Sequence, residues 1–237
     1  NKQEQVMKKI LPIVLLLVLL GGQASAQKNI FNKELCIGFS GGDLSSSLDF
    51  QPSKPQTTLM GVHGGVSAKF ISENHLGLLL ELNYSQKGWK EEFDPETQSD
   101  FEYSRSLHYI ELPFMTHIYF GNKTRFVFNA GPQIGYRFGE ATSMSDSFKK
   151  FLDEAMELSP NEPAVAQYSS ELRRFDYGIT GGLGMEFKSG IGNLQLEGRY
   201  YFGLGDVFEN RKSRNNIFNR SANRNIIVKL TYFFNVI

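Results

Sequence analysis

The chain has 237 residues and carries 25 basic and 25 acidic side chains, so its formal net charge is zero. This balance lacks the basic excess that is typical of proteins that bind nucleic acid, and no such partner is predicted. Cys36 is the only cysteine, which excludes an internal disulfide bond and a paired-cysteine metal site.

The N-terminal segment predicts a secretory signal peptide. Met7 is the expected start, two lysines follow it, and residues 10–20 are apolar. The motif Ala-Ser-Ala at residues 24–26 fits a cleavage site. The apolar run is shorter than the ~20 residues that a transmembrane helix needs. We therefore expect residues 1–26 to be a signal peptide region and residues 27–237 to be the exported domain.

Alternating polarity recurs along the rest of the chain and predicts eight β-strands. In the seventh of these segments, apolar side chains take the even positions from Leu194 to Leu204, while Glu197 and Arg199 take odd positions. This period of two is that of a strand and not of a helix. The predicted strands span residues 34–43, 59–71, 76–90, 105–120, 124–139, 172–187, 192–206 and 224–236.

The connections between these strands alternate in length. Short turns are predicted at 72–75, 121–123 and 188–191, and long connections at 44–58, 91–104, 140–171 and 207–223. Strict alternation places all long connections at one end of an up-and-down array. Bacterial outer-membrane barrels have this pattern, with short periplasmic turns and longer outside loops.

The third long connection contains the segment SDSFKKFLDEAMEL at residues 145–158. Its apolar residues fit one helical stripe, Ser145 or Asp146 offers an N-cap, and Ser159-Pro160 offers a stop. We predict a short helix that rests on the rim of the barrel. A helix that binds a partner or the membrane surface is the alternative.

Glycines indicate which face of each strand points inward. In strands 124–139 and 172–187, the register opposite the apolar side chains contains Gly131, Gly135 and Gly182, among others. A face in open water has no need for such small residues, whereas the lumen of an eight-stranded barrel is only just wide enough for side chains. We therefore predict that the apolar register faces lipid, the reverse of a soluble lipocalin-like barrel.

The inward register also holds five basic and five acidic residues. Buried charges are tolerated only when they are paired and hydrogen-bonded, so we predict a charge-paired network that closes the lumen. Its predicted members are Lys69, Glu81, Glu111, Arg125, Arg137, Asp176, Glu186, Glu197, Arg199 and Lys229.

Aromatic residues lie near several predicted strand ends on the outward register, where outer-membrane barrels carry interfacial girdles. They are Tyr136, Phe138, Phe187, Phe202, Tyr232 and Phe234. Trp89, at the loop side of the third predicted strand, is expected to anchor at the same interface.

Four motifs resemble the PorT-like outer-membrane β-barrel family. They are Tyr109-Ile110-Glu111-Leu112-Pro113, Asn129-Ala130-Gly131-Pro132, the glycine-rich segment 178–184 and the C-terminal segment 230–234. The similarity covers essentially the whole exported domain. It implies an outer-membrane barrel of a Gram-negative bacterium, inserted from the periplasm by the barrel-assembly machinery. The namesake is associated with type IX protein secretion, so the resemblance also implies a secretion accessory as one option.

No motif of a zinc protease or P-loop protein occurs, and we predict no enzyme activity, metal or cofactor. His63 and His117 share the inward register, and we expect them to join the ionic network rather than a metal or acid–base site. Outer-membrane enzymes place acids, His or Ser at the outer rim, where this chain offers the ordinary loop residues Asp94, Asp100, Ser143 and Asp146.

The last long connection is basic. Arg211, Lys212, Arg214, Arg220 and Arg224 are candidates for binding the phosphates of lipopolysaccharide outside the cell. A merely solvated basic loop is the alternative.

We predict an all-β fold: one eight-stranded antiparallel up-and-down transmembrane β-barrel, with a short helix in the third long loop. The predicted function is a structural or interaction barrel, or a secretion accessory, that uses its long extracellular loops. Its predicted partners are outer-membrane lipid, lipopolysaccharide and a secretion or surface protein. The alternatives are a small-solute channel, for which eight strands leave little lumen, an outer-membrane enzyme, and a soluble lipophile-binding barrel.

Overall fold

The computed structural model describes residues 33–159, 162–209 and 218–236, which belong to one unit, Lys33–Ile237. The predicted signal peptide lies outside the described residues. The described elements are, in chain order, β1 (Glu34–Gln51), β2 (Gln56–Thr57), β3 (Leu59–Glu73), β4 (Leu76–Glu91), β5 (Tyr103–Gly121), β6 (Thr124–Met144), α1 (Asp146–Leu158), α2 (Pro163–Ser169), β7 (Phe175–Ser189), β8 (Gly192–Asp206) and β9 (Arg220–Asn235).

The eight long strands form a closed antiparallel barrel. Each long strand pairs with the next one along the chain, and β9 pairs with β1 to close the ring. The two-residue strand β2 is an addition at the end of β4. The predicted eight-stranded up-and-down barrel is confirmed.

The two ends of the barrel differ in their connections. At one end, here called the turn end, two-residue turns join β3 to β4, β5 to β6 and β7 to β8. Gly121 adopts a φ of 109°, which lets the chain reverse directly after β5. The opposite end, here called the loop end, carries all the long connections, including α1 and α2.

Strand β1 is longer than the sequence predicts, because its polarity reverses part of the way along. Up to Asp43 the outward side chains are mainly apolar, but beyond it the apolar Leu44, Leu48 and Phe50 point inward and are buried. Serines and Asp49 take the outward register there. This upper part of the strand presents a polar surface to water. A prediction based on one apolar register for the whole strand therefore ended the strand too early. The predicted connection at 44–58 is wrong for residues 44–51.

Large apolar side chains cover the outward face of the barrel strands. Phe39, Leu80, Leu196 and Val228 are each between 43 and 60% exposed, whereas the inward register of the same strands is buried and largely polar. A continuous apolar outer surface suits lipid hydrocarbon and not water. This arrangement is the opposite of a soluble lipocalin-like barrel, and that alternative is excluded.

The predicted helix in the third long connection is confirmed as α1. The Ser145 side chain caps it by accepting a hydrogen bond from the backbone N–H of Phe148 at 3.3 Å, and Ser159 ends it. The second helix, α2, was not predicted; it begins at Pro163, a residue that fits the first turn of a helix. Neither helix meets the length and apolarity that a membrane-crossing helix requires.

The lipid-facing register is tested by Leu80→Arg. Leu80 lies midway along the outward face of β4, where an arginine near the bilayer centre lowers stability by about 2–4 kcal/mol. Leu158→Arg is the matched control, because Leu158 is 84% exposed at the end of α1. We expect urea unfolding in phosphatidylcholine vesicles to show the loss for L80R and almost none for L158R. Equal losses would contradict the lipid-facing register.

Candidate functional site

Charged side chains fill the lumen in equal numbers of each sign. Among the described residues, six cations and six anions are at least nine-tenths buried. The cations are Lys69, Lys87, Arg105, Arg125, Arg199 and Lys229; the anions are Glu81, Glu91, Glu111, Asp176, Glu186 and Glu197. Nine of the ten residues predicted for the network are in this set. We call these nine and Lys87 the lumen network, because Arg105 and Glu91 pair instead with Glu140 and Lys54 at the loop end.

The middle of the barrel holds two cations and two anions in mutual contact. The Arg199 guanidinium donates to Glu81 at 2.7 Å and to Glu197 at 3.0 Å, and the Lys229 ammonium donates to Glu81 at 2.6 Å. The Asn129 side chain donates to Glu197 at 3.0 Å. Each carboxylate thus has charged and neutral donors, which lowers the free energy of holding it away from water.

Toward the turn end, a second group links four strands, β1, β3, β6 and β7. Lys69 pairs with Glu186, and Arg125 pairs with Glu186 at 3.5 Å and with Glu34 at 3.0 Å. Lys188 also pairs with Glu34 at 2.8 Å. Glu34 and Lys188 were not predicted as members, because they lie at the strand ends where the inward register meets water.

Toward the loop end, Lys87 lies between two carboxylates. It pairs with Glu111 and, at 3.2 Å, with Asp176, and its ammonium lies 4.2 Å from the centre of the Tyr201 ring. Asn223 adds a donor to Asp176 at 2.9 Å. Lys87 has the same odd-numbered register as Glu81, so the alternation contained the signal that would have identified it.

The inward glycines make room for these side chains. A Cβ on Gly182 would lie 2.5 Å from a carboxylate oxygen of Glu197, and one on Gly184 would lie 2.3 Å from the backbone oxygen of Leu196. A Cβ on the outward Gly198 would have no heavy atom within 4 Å. Crowding inside the lumen therefore explains why glycine recurs on the inward register.

The two inward histidines make hydrogen bonds within the lumen. The Nδ1 atom of His63 lies 2.8 Å from the Ser85 hydroxyl, and Nδ1 of His117 lies 2.7 Å from the side-chain oxygen of Asn129. No group of three or more potential metal ligands occurs in the part of the chain that the structure describes. Asp94, one of the loop acids, accepts hydrogen bonds from Glu96 and Thr97 in its own turn.

An apolar cluster covers the loop end of the lumen network. It combines the reversed upper part of β1 with α1 and with residues of the long connections, and we call it the plug. Its members are Leu48, Phe50, Trp89, Tyr103, Leu107, Tyr109, Phe148, Leu152, Leu172, Val207, Phe208 and Phe218.

Trp89 belongs to the plug and not to an interfacial girdle. It is 2% exposed, and its ring centre lies 5.9 Å from that of Phe50 and 5.8 Å from that of Phe208. The prediction that Trp89 anchors at the membrane interface is wrong. Its odd number places it on the inward register of β4, where the barrel interior changes from ionic to apolar.

A polar contact holds α2 against the end of β4. The Tyr168 hydroxyl donates to Glu91 at 2.7 Å, and Lys54 pairs with Glu91 and donates to Gln167 at 2.8 Å. Burial lowers the pKa of the Lys54 ammonium, and Glu91 opposes that shift. Burial likewise raises the pKa of Tyr168, so the tyrosine stays a neutral donor.

Arg137 lies at the rim rather than in the lumen network. Its guanidinium donates to Glu140 at 2.8 Å and to the backbone oxygen of Leu172 at 2.7 Å. The pairing between β5 and β6 shifts by one residue next to His108, and this bulge places Arg137 and Glu140 within reach of each other. The prediction that Arg137 is a buried charge of the lumen is therefore corrected. Lys87, which was not predicted, is the buried cation of the lumen network toward the loop end.

The predicted anion-binding loop is only partly described. Arg211, Lys212 and Arg214 lie outside the described residues. Arg220 and Arg224 belong to β9, where both pair with Asp49, at 3.2 and 2.8 Å. The Arg224 guanidinium also lies 3.8 Å from the centre of the Phe202 ring. These two arginines lie in a barrel strand and contact neighbouring strands, so the prediction that they belong to a loop is corrected.

Comparison with known proteins identifies one family. Residues 23–209 match the family described as "Outer membrane protein beta-barrel domain". No curated protein matches the chain.

Several solved structures have similar folds. Neisserial surface protein A has 10% identity and a TM-score of 0.44, covering 85% of this chain and 99% of that one. Ail of Yersinia pestis, in complex with the heparin analogue sucrose octasulfate, has 12% identity and a TM-score of 0.42, with 85 and 99% covered. OprG from Pseudomonas aeruginosa has 10% identity and a TM-score of 0.42, with 86 and 93% covered.

Replacing Lys87 by Met tests the lumen network. The change leaves Glu111 and Asp176 without their shared cation, and breaking a buried pair in this way costs about 3–5 kcal/mol. Arg220→Gln is the control, since it removes a partly exposed pair worth about 1 kcal/mol or less. We expect urea unfolding to show a larger loss of stability in K87M than in R220Q.

Adding Glu111→Gln to K87M is expected to recover part of the stability, because it removes one uncompensated charge. A loss in K87M no larger than the loss in R220Q would show that the lumen network does not stabilise the barrel.

Proposed function

This chain belongs to the outer membrane protein beta-barrel domain family, and we propose that it acts as a closed, non-enzymatic barrel whose loop end contacts a partner outside the cell. Its location is the outer membrane. The proposal assigns the membrane-embedded part a structural role and assigns recognition to the connections at the loop end.

The closure of the lumen carries this proposal. The cations and anions of the lumen network neutralise one another across strands on opposite sides of the barrel, such as β4 with β8 through Glu81 and Arg199. The plug then adds an apolar layer above them. Eight strands leave an interior that side chains fill, and here the side chains are held by ion pairs. A solute path would require breaking those pairs, which argues against a small-solute channel.

The loop end presents both apolar and basic side chains to solvent. On α1, Phe151 is 50% and Leu158 84% exposed, next to the exposed Lys149 and Lys150. The resemblance to PorT-like barrels makes a secretion accessory one form of the proposed role, with a secretion or surface protein as the partner. Lipopolysaccharide is the second proposed partner, and the barrel-assembly machinery is proposed to insert the chain.

Closure is tested by conductance. We expect the refolded full chain to give no steady single-channel steps in planar bilayers in concentrated KCl, because the lumen network blocks the path. A large open porin, refolded in the same way, is the control for insertion. Reproducible ion-selective steps would overturn the closed barrel and would favour the channel alternative.

The orientation of the loop end is tested by surface labelling. A membrane-impermeant amine reagent applied to intact cells should modify Lys149 and Lys150 on α1, while Lys123 in the turn after β5 should react only after permeabilisation. Mass spectrometry of tryptic peptides reports both positions. Labelling of Lys123 but not of Lys149 in intact cells would place the loop end in the periplasm and contradict the proposal.

A further inference from the structure

A cavity of about 440 Å³ lies at the loop end, beside the upper part of β6. The ladder between β6 and β7 ends with Tyr136 opposite Phe175. Just beyond it, the Arg137 backbone N–H donates to the backbone oxygen of Arg174 at 2.7 Å, so the segment before β7 stays alongside β6. The cavity, here called the rim cavity, is lined by Arg105, Tyr136, Arg137, Phe138, Glu140, Ser169, Ser170, Glu171, Leu172 and Arg174.

The rim cavity lies where the apolar outer surface of the barrel ends. The outward apolar residues of β6 end at Phe138, and those of β7 begin at Phe175. The next residues toward the loop end are charged, with Glu140 on β6 and Arg174 before β7. In an outer-membrane barrel this boundary is the level of the lipid headgroups. The rim cavity therefore faces the headgroup layer rather than the hydrocarbon.

Three guanidinium groups and two carboxylates line the rim cavity, which leaves an excess of positive charge. Glu140 accepts hydrogen bonds from Arg105 at 3.2 Å and from Arg137 at 2.8 Å, so these two guanidiniums are held in place. Arg174 is exposed, and its guanidinium donates to the Tyr136 hydroxyl at 3.4 Å. Guanidinium groups match the geometry of phosphate oxygens, which makes a phosphate the anion that this lining suits.

Aromatic and hydroxyl groups complete the lining. Tyr136 is 38% and Phe138 55% exposed, so their rings are available to an apolar ring face of a ligand. The lining can also form hydrogen bonds with ligand hydroxyls, through Ser169, Ser170 and Glu140. A phosphorylated sugar carries all three features, namely a phosphate, several hydroxyls and an apolar ring face. The volume is also within the range of small-molecule sites.

A second cavity of about 440 Å³ adjoins the first through Arg174 and is lined by Arg173, Phe175, Tyr177 and Glu209. The combination of guanidinium and aromatic groups thus continues along the headgroup level of β7. We propose that the rim cavity binds a phosphorylated sugar, carried by a lipid of the outer leaflet or by a soluble glycan. This inference rests on the proposed function and names a ligand class for the loop end.

The soluble arm of the test uses the purified full chain in detergent. Isothermal titration with glucose 6-phosphate should show binding that Arg174→Gln weakens about tenfold, the loss expected when one charge-assisted contact is removed. Lys123→Gln removes an exposed cation at the turn end, away from the rim cavity, and should leave binding unchanged. Phe138→Ala should weaken glucose 6-phosphate binding but not the binding of inorganic phosphate, because only the sugar uses the ring.

The lipid arm uses nanodiscs of phosphatidylcholine with and without lipid A. Native mass spectrometry should show lipid A retained by the unmodified chain and by K123Q, and lost from R174Q. Retention of lipid A without binding of glucose 6-phosphate identifies the lipid as the source, and binding of both identifies the sugar phosphate itself.

Either of two results overturns the inference. One is that neither probe binds, or that R174Q and K123Q behave alike. The other is that inorganic phosphate binds as tightly as glucose 6-phosphate, which would leave a phosphate contact without a sugar site. Conductance of the same preparation separates this failure from that of the proposed function, because a silent barrel that binds neither probe overturns only the inference about the rim cavity.

Discussion

The structure depends on pairing charge inside an apolar wall. A single ion moved from water into a medium of low dielectric constant costs of order 20 kcal/mol before relaxation, so no member of the lumen network is tolerated alone. The pairs join strands that are far apart in sequence, as Lys69 and Glu186 do. The network therefore forms only where these strands have come together in the barrel. The inward glycines follow from it, because a Cβ at Gly182 would lie 2.5 Å from the Glu197 carboxylate.

The surroundings of the barrel change along its axis, and the side-chain pattern changes with them. In the membrane-embedded part, apolar groups point outward and charges inward. In the upper part of β1 the order is reversed, with Leu48 and Phe50 inside the plug and Asp49 outside. The reversal marks the level at which lipid gives way to water. The plug is thus an ordinary apolar core placed on top of an ionic one, and α1 packs onto it through Phe148 and Leu152.

The boundary between these two regimes is also where the candidate binding groups collect. The rim pair of Arg137 and Glu140 lies on either side of Phe138, the last outward aromatic residue of β6, at the bulge next to His108. Bulges re-aim side chains and stop regular pairing. The rim cavity lies beside this local irregularity, so the candidate binding groups of the loop end collect where the regular strand pattern stops.

The sequence by itself determined the eight strands, the lipid-facing register, the capped helix α1 and nine residues of the lumen network. Each of these depends on local periodicity, which a barrel repeats faithfully within the membrane. The tertiary structure decided the rest. It placed Trp89 in the plug, moved Arg137 to the rim, engaged Arg220 and Arg224 with Asp49, and gave Lys87 its two carboxylates. These outcomes depend on strand length, on a bulge and on contacts between distant strands. The alternation of neighbouring residues cannot predict any of the three.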